Sequence, residues 1–247
     1  MMNTDTVSNA RPVVLLIPGM LNTARIWSQV VPHLEALADI RIADVTHQAS
    51  ISDMATDAWR LVADVPDTRR LVVCGFSMGG YVALDLVRSF LLGKRPGPSW
   101  SLGLLNTSSR PESAEGLVGR EKTIAGIERD FERVIQGIAR FGMHPSTLSD
   151  SALMKEALSI MRAVGAQTAI RQLRAIMQRA DQSSLLPQIA AQVVVMSAGD
   201  DLVVPPAVSE EMAALIPGAT LAWLSPAGHM TPLEQPVQVA NLIKTLL

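Results

Sequence analysis

The sequence predicts an α/β fold, a mostly parallel sheet of about six strands flanked by helices and interrupted by one long helical insertion. Two observations lead there. From Pro12 onward, short β-branched runs alternate with longer helical patterns, which is how a parallel sheet covered on both faces reads. Between about residues 112 and 186 the alternation stops, and no strand pattern interrupts the helical spacing there.

Strands are expected near residues 13–17 (VVLLI), 40–45 (IRIADV), 70–75 (RLVVCG), 101–106 (SLGLLN), 192–197 (QVVVMS) and 220–225 (TLAWLS). Each is a short apolar run, the length of a buried strand and too short for a helix. Helices are expected near 24–38, 52–64, 78–92, 206–216 and 235–246. Pro217-Gly218 stops one of them, and Gly93 with Pro96 stops another, because glycine closes a helix end and proline cannot continue one.

Within the insertion, Ile124, Ile127, Phe131, Val134, Ile138 and Phe141 recur at spacings of three and four, which places them on one helical face. Leu153, Ala157, Ile160 and Val164 predict a second helix, and Ile170, Leu173 and Met177 a third. Long insertions in α/β units tend to be lids or binding elements. The expected organisation is a flexible tail over 1–11, a core formed by 12–111 and 187–247, and a helical cap over 112–186.

The 247 residues suffice for one large domain. Hydrophobic residues make up 48% and charged residues 18%, with a formal net charge of -2. This excludes a disordered chain and gives no basic excess for nucleic acid. The N-terminal MMNTDTVSNARP has no basic start leading into an apolar stretch, and no apolar run reaches the length of a membrane span. A soluble, cytoplasmic protein is expected. Cys74 is the only cysteine, so neither an intrachain disulfide nor a CxxC site can form, and a small buried hydrophobe is its expected role.

Residues 74–80 read CGFSMGG. Gly75, Ser77 and Gly79 satisfy G-x-S-x-G, with a predicted strand before and a predicted helix after. In that context the pattern presents a serine on a sharp, strained turn. No lysine follows the glycines and no G-x-G-x-x-G spacing exists, so a phosphate loop is excluded. A serine hydroxyl needs a base. Of the four histidines, His33 lies in a helix pattern, His47 follows the second strand and His144 lies in the insertion. His229, in SPAGHMTPLEQP after the last strand, is the candidate base, because parallel sheets assemble sites at their carboxyl edge. Asp200 and Asp201 follow the fifth strand, and either supplies a carboxylate to orient the imidazole. The chain order Ser, Asp, His is that of α/β-hydrolases.

From Pro12 onward the sequence resembles the α/β-hydrolase superfamily, above all at LLIPGMLNTARIW, CGFSMGGYVAL, VVVMSAGDDLVVPP and AGHMTPLEQP. The resemblance implies an α/β-hydrolase fold without the first two strands of larger relatives, and no metal or organic cofactor. It assigns the acid to Asp201, which has proline four residues on, although Ala198 stands where relatives carry glycine. It also assigns the oxyanion donors to the backbone N–H groups of Met20 and Met78, although Pro18-Gly19 replaces the common His-Gly. The segment LLNTSSRPESAEG is similar to the cap entrance of small bacterial members.

A serine hydrolase acting on a small ester or thioester through an acyl-enzyme is expected. The serine argues against dehalogenase chemistry, for which relatives use aspartate. Carbon-carbon bond hydrolysis, metal-free perhydrolysis and a non-catalytic ligand-binding member remain alternatives. Met20, Leu21, Met78, Phe131 and Met143 suggest a hydrophobic pocket preferring an uncharged acyl chain.

Overall fold

A computed structural model of the chain describes residues 10–95 and 99–247. Most of the expected tail and Pro96 lie outside the described residues. Among the described residues six strands, β1 (Val13–Ile17), β2 (Asp39–Ile42), β3 (Leu71–Phe76), β4 (Trp100–Leu105), β5 (Gln192–Ala198) and β6 (Thr220–Leu224), form one sheet. The order is β2-β1-β3-β4-β5-β6, with every pairing parallel. Because β1 lies between β2 and β3, the strand order reverses there. Open parallel sheets bind ligands at the carboxyl ends beside such a reversal.

Successive side chains on a strand point to opposite faces, and the core divides accordingly. Val14, Leu16, Val72, Cys74, Phe76, Val194 and Met196 enter one apolar layer. Val13, Leu15, Leu71, Val73, Val193 and Val195 enter the other. The second layer is closed by α1 (Ile51–Arg60), α2 (Met78–Leu86) and α6 (Pro206–Leu215), through residues such as Met54, Val82 and Met212. The first is closed by Trp27 and Leu34, by Val239 and Ile243 of α8 (Pro236–Lys244), and by the segment between β4 and β5. Cys74 is buried there, and burial pushes its thiol pKa up.

The stretch expected as a helix over 24–38 forms two short 3-10 helices instead, Ala24–Trp27 and Val31–His33. Pro32 explains the break, since proline offers no N–H and its ring clashes with the preceding helical turn. The stretch expected near 78–92 begins as α2 and continues as a π-helical turn, Val87–Leu91. Ahead of α8, the four-residue α7 (Thr231–Glu234) follows the His229 loop.

The insertion folds into α3 (Ala114–Gly142), α4 (Ser151–Val164) and α5 (Ala166–Met177). Asp130 breaks α3 with φ -159° and ψ 88°, and its side chain accepts from the Arg133 N–H like an N-cap. The kink rotates the buried face. Ile124 and Ile127 are buried before it as expected, but Ile135, Ala139 and Gly142 take the inner positions after it, leaving Phe141 exposed.

Candidate active site

At the carboxyl end of β3 the chain must turn sharply into α2. Ser77 sits at that turn with φ 53° and ψ -116°, a left-handed conformation that is rare for a residue with a Cβ. The turn is held from outside. The Ser77 N–H donates to the Leu105 carbonyl at 2.8 Å, and the Thr107 hydroxyl donates to the Ser77 carbonyl at 2.8 Å. A Cβ on Gly75 would run into the Gly79 carbonyl, and one on Gly79 into the Ile17 carbonyl. Small residues are therefore required at both places.

The structure brings Ser77, His229 and Asp201 together. His229 Nε2 lies 2.9 Å from Ser77 Oγ, and His229 Nδ1 lies 2.9 Å from Asp201 Oδ2. An ionised carboxylate only accepts, so the proton sits on Nδ1 and Nε2 is free to accept from the hydroxyl. Phe76 packs against the imidazole with ring centroids 5.3 Å apart.

Asp201 is buried and receives four donors. Oδ1 accepts from the N–H groups of Val203 and Val204, at 2.8 and 2.9 Å, while Oδ2 also accepts from the Asn106 amide at 2.8 Å. Burial alone would raise its pKa. The charge and hydrogen bond of His229, with the Val204 N–H and the Asn106 amide, outweigh that and hold it below the ordinary value. Ala198 preserves the turn, since the Asp201 N–H donates to its carbonyl at 3.3 Å.

The other candidates lie elsewhere. Asp200 faces His144 at 3.4 Å, His33 is exposed, and His47 is exposed beside Asp44 at 3.2 Å. His47 lines a hollow of about 400 Å³ between the end of β2 and the helices α4 and α5, which does not include Ser77.

The sequence reading did not single out Asn106, Thr231 or Glu234. Asn106, at the end of β4 with φ 45°, is oriented by the Thr231 hydroxyl, which donates to its Oδ1 at 2.6 Å. Glu234 accepts from the Gly228 and His144 N–H groups and from the Thr147 hydroxyl. The His229 N–H itself donates to the Gly142 carbonyl at 2.6 Å. The His229 loop is thus fastened to the end of α3. Polar side chains just beyond the strand ends were the available signal.

The Met78 N–H is the first of α2, where intrahelical partners are lacking. Neither it nor the Met20 N–H has a hydrogen-bond partner among the described residues. Met78 follows Ser77 in sequence, and Met20, in the loop after β1, lines the same cavity as Ser77.

A cavity of about 100 Å³ opens on Ser77 and His229, and all three insertion helices contribute to its wall: Arg120, Ile138 and Gly142 from α3, Met161 from α4 and Ile176 from α5. Of the five residues expected around an apolar pocket, only Met20 lines it. Leu21, Met78 and Met143 are buried in the core and Phe131 packs against it, because the strand-end turn and the kinked α3 send these side chains inward. Asn22 and Tyr81 line the cavity in their stead, and Asn22 Oδ1 is buried without a partner among the described residues. Behind Tyr81 sits a charged cluster in which Glu112 pairs with both Arg120 and Arg179. Burial pushes the Glu112 carboxyl up, but the two guanidinium groups, Arg120 first, hold it below its ordinary value.

A parallel sheet with a serine at the strand-to-helix elbow, and Asp and His on later strand ends, defines the α/β-hydrolase class of enzymes. The chain belongs to the alpha/beta hydrolase family, whose model matches residues 14–242. A pimeloyl-[acyl-carrier protein] methyl ester esterase of Aromatoleum aromaticum is 29% identical over an alignment of 255 residues, which spans 96% of this chain and 98% of that protein. Among solved structures, an esterase from Thermogutta terrifontis matches with a TM-score of 0.81 at 23% identity, over 95% of this chain and 88% of that one. The enol-lactonase from Burkholderia xenovorans LB400 matches with a TM-score of 0.81 at 18% identity, over 96% and 91%. At those identities the two structures speak to the fold alone. No helix among the described residues is long and apolar enough to cross a membrane.

Proposed function

We propose that this hydrolase cleaves a small carboxylic ester or thioester through an acyl-enzyme on Ser77. The observation that carries the reading is the unbroken line from Ser77 Oγ through the His229 imidazole to Asp201, with both spacings 2.9 Å. His229 Nε2 takes the hydroxyl proton as Ser77 attacks the carbonyl carbon. Asp201 keeps the proton on Nδ1 and stabilises the imidazolium that forms.

The carbonyl oxygen becomes an oxyanion and accepts from the Met20 and Met78 N–H groups. Collapse expels the alcohol or thiol, which leaves with the proton held on His229. A water then loses a proton to His229 and attacks the acyl carbonyl, and as the bond to Ser77 breaks His229 returns that proton to the Ser77 oxygen and the acid is released. Helices α3 to α5 act as the cap. The apolar stretch formed by Met20, Phe76, Ile138, Met161, Ile176, Val203 and Met230 suits an apolar acyl stem. The name of the Aromatoleum relative, a methyl ester esterase, accords with this reading.

The test is labelling by a fluorophosphonate probe. Wild type is expected to label and Ser77→Ala to remain unlabelled; an unlabelled wild type, or equal labelling of both, would remove the proposal.

A further inference from the structure

Among the described residues, the cavity wall carries one cation. Arg120 lines it together with Ser77, and its side chain keeps 27% of its exposure. Its Nε is engaged by Glu112, yet its two terminal nitrogens have no hydrogen-bond partner among the described residues. The second cation of the cluster is differently placed. Arg179 donates to Glu112 at 3.0 Å and to the carbonyls of Arg110 and Ile176 at 2.9 and 3.0 Å, and its guanidinium lies 4.3 Å from the Tyr81 ring centroid. Arg179 is held in place by the fold, while Arg120 keeps an open edge.

Charge balance points the same way. One carboxylate, Glu112, is shared by two guanidinium groups, so the cluster keeps a net positive charge beside the cavity. The terminal nitrogens of a guanidinium form a planar fork that fits a carboxylate with two parallel N–H···O bonds. The surrounding apolar wall strengthens such a pair by excluding water.

Resting on the serine-hydrolase reading, we infer that Arg120 receives an anionic group of the substrate, and that the substrate class is an ester with an apolar stem ending in a carboxylate, such as the half-ester of a dicarboxylic acid. The scissile carbonyl lies at Ser77 and the free carboxylate at Arg120. The apolar stem lies along the wall between them. The uncharged acyl chain expected from sequence gives way to a chain that is apolar in the middle and charged at its end.

The experiment compares monomethyl esters of dicarboxylic acids, from glutarate to suberate, with methyl esters of monocarboxylic acids of the same chain length. Wild type is expected to favour the half-esters in kcat/KM at one chain length or more. Arg120→Met is expected to lose about 10- to 100-fold on the favoured half-ester, as the loss of a charged hydrogen bond implies, and to lose clearly less on the neutral ester. Arg120→Lys, which keeps the charge without the fork, is expected to fall between them and serves if Arg120→Met does not fold. Equal or better turnover of neutral esters by wild type, or an equal loss on both substrates in the variants, would overturn the inference. Fluorophosphonate labelling of the same preparations separates the two claims. A labelled wild type without carboxylate preference sinks the Arg120 assignment alone, while an unlabelled wild type sinks the serine-hydrolase reading.

Discussion

The backbone N–H of Leu21 donates to Oε1 of Gln172 at 2.9 Å, joining the loop after β1 to helix α5 of the insertion. Gln172 is fully buried, and its Nε2 donates in turn to the Val45 carbonyl at 2.9 Å. One side chain therefore ties two strand-end loops to α5. Leu21 has φ 59°, a left-handed conformation that persists only when its surroundings impose it. The Met20 N–H, assigned above to the oxyanion, is carried by this same loop.

Replacing Gln172 with Met keeps the volume and leaves the Leu21 N–H and the Val45 carbonyl dry and unpaired. Each buried group left so costs about 1 to 3 kcal/mol. The variant is expected to unfold at lower urea concentration and to lose kcat more than it gains KM. Unchanged urea midpoint and unchanged kcat would show that the loop holds its shape without Gln172.

Asp200 and Asp201 are neighbours in sequence with different surroundings. Asp201 meets His229 at 2.9 Å, while Asp200 is exposed beside His144 at 3.4 Å. Asp201→Asn is expected to lower kcat by about 10⁴-fold, the scale seen when a triad carboxylate becomes an amide and the imidazole takes the wrong tautomer. Asp200→Asn is expected to stay within about 2-fold, as an exposed pair contributes little. A large loss confined to Asp200→Asn would reverse the assignment.

The depressed pKa of Asp201 also has a consequence for stability. Its folded pKa lies below the ordinary carboxylate value, so around and below that value the unfolded chain binds more protons than the folded one. The stabilisation is fully present above the unfolded pKa of about 3.9 and is lost as pH falls through the lower, folded value. Urea unfolding of wild type is therefore expected to show a stability that rises with pH across this acid window, with a smaller rise in Asp201→Asn. Parallel pH profiles for the two proteins would contradict the buried, paired state of this carboxylate.

How far the sequence could be read depended on the range of the forces involved. Strand positions and the Ser77 elbow were legible because they follow from local patterns: short apolar runs, and glycines where a Cβ would strike backbone. The order of Asp and His after later strands was legible for the same reason. Asn106 and Gln172 were not, because their partners lie far along the chain, Asp201 and Thr231 for Asn106 and Leu21 and Val45 for Gln172. The pocket lining was misread where a single residue changed the geometry. Asp130 kinks α3, so the spacing that nominated Phe141 no longer described the inner face at the end of the helix, while Phe131 packs against the core rather than the cavity.

Two glycine substitutions test the packing at opposite extremes. Gly79 lies in the first turn of α2 against β1, and an added Cβ would strike the Ile17 carbonyl. That carbonyl cannot retreat, because β1 is hydrogen-bonded to β2 and β3 on its two sides. Gly119 lies within α3 with nothing within 4 Å of an added Cβ. Gly79→Ala is expected to destabilise by about 1 to 3 kcal/mol or more, the cost of overpacking, and to displace Ser77 enough to abolish fluorophosphonate labelling. Gly119→Ala is expected to stabilise by about 0.5 to 1 kcal/mol through helix propensity alone and to label like wild type. Thermal melts of the two variants beside wild type decide the matter, and a Gly79→Ala protein that melts and labels normally would mean that the elbow is looser than its backbone contacts imply.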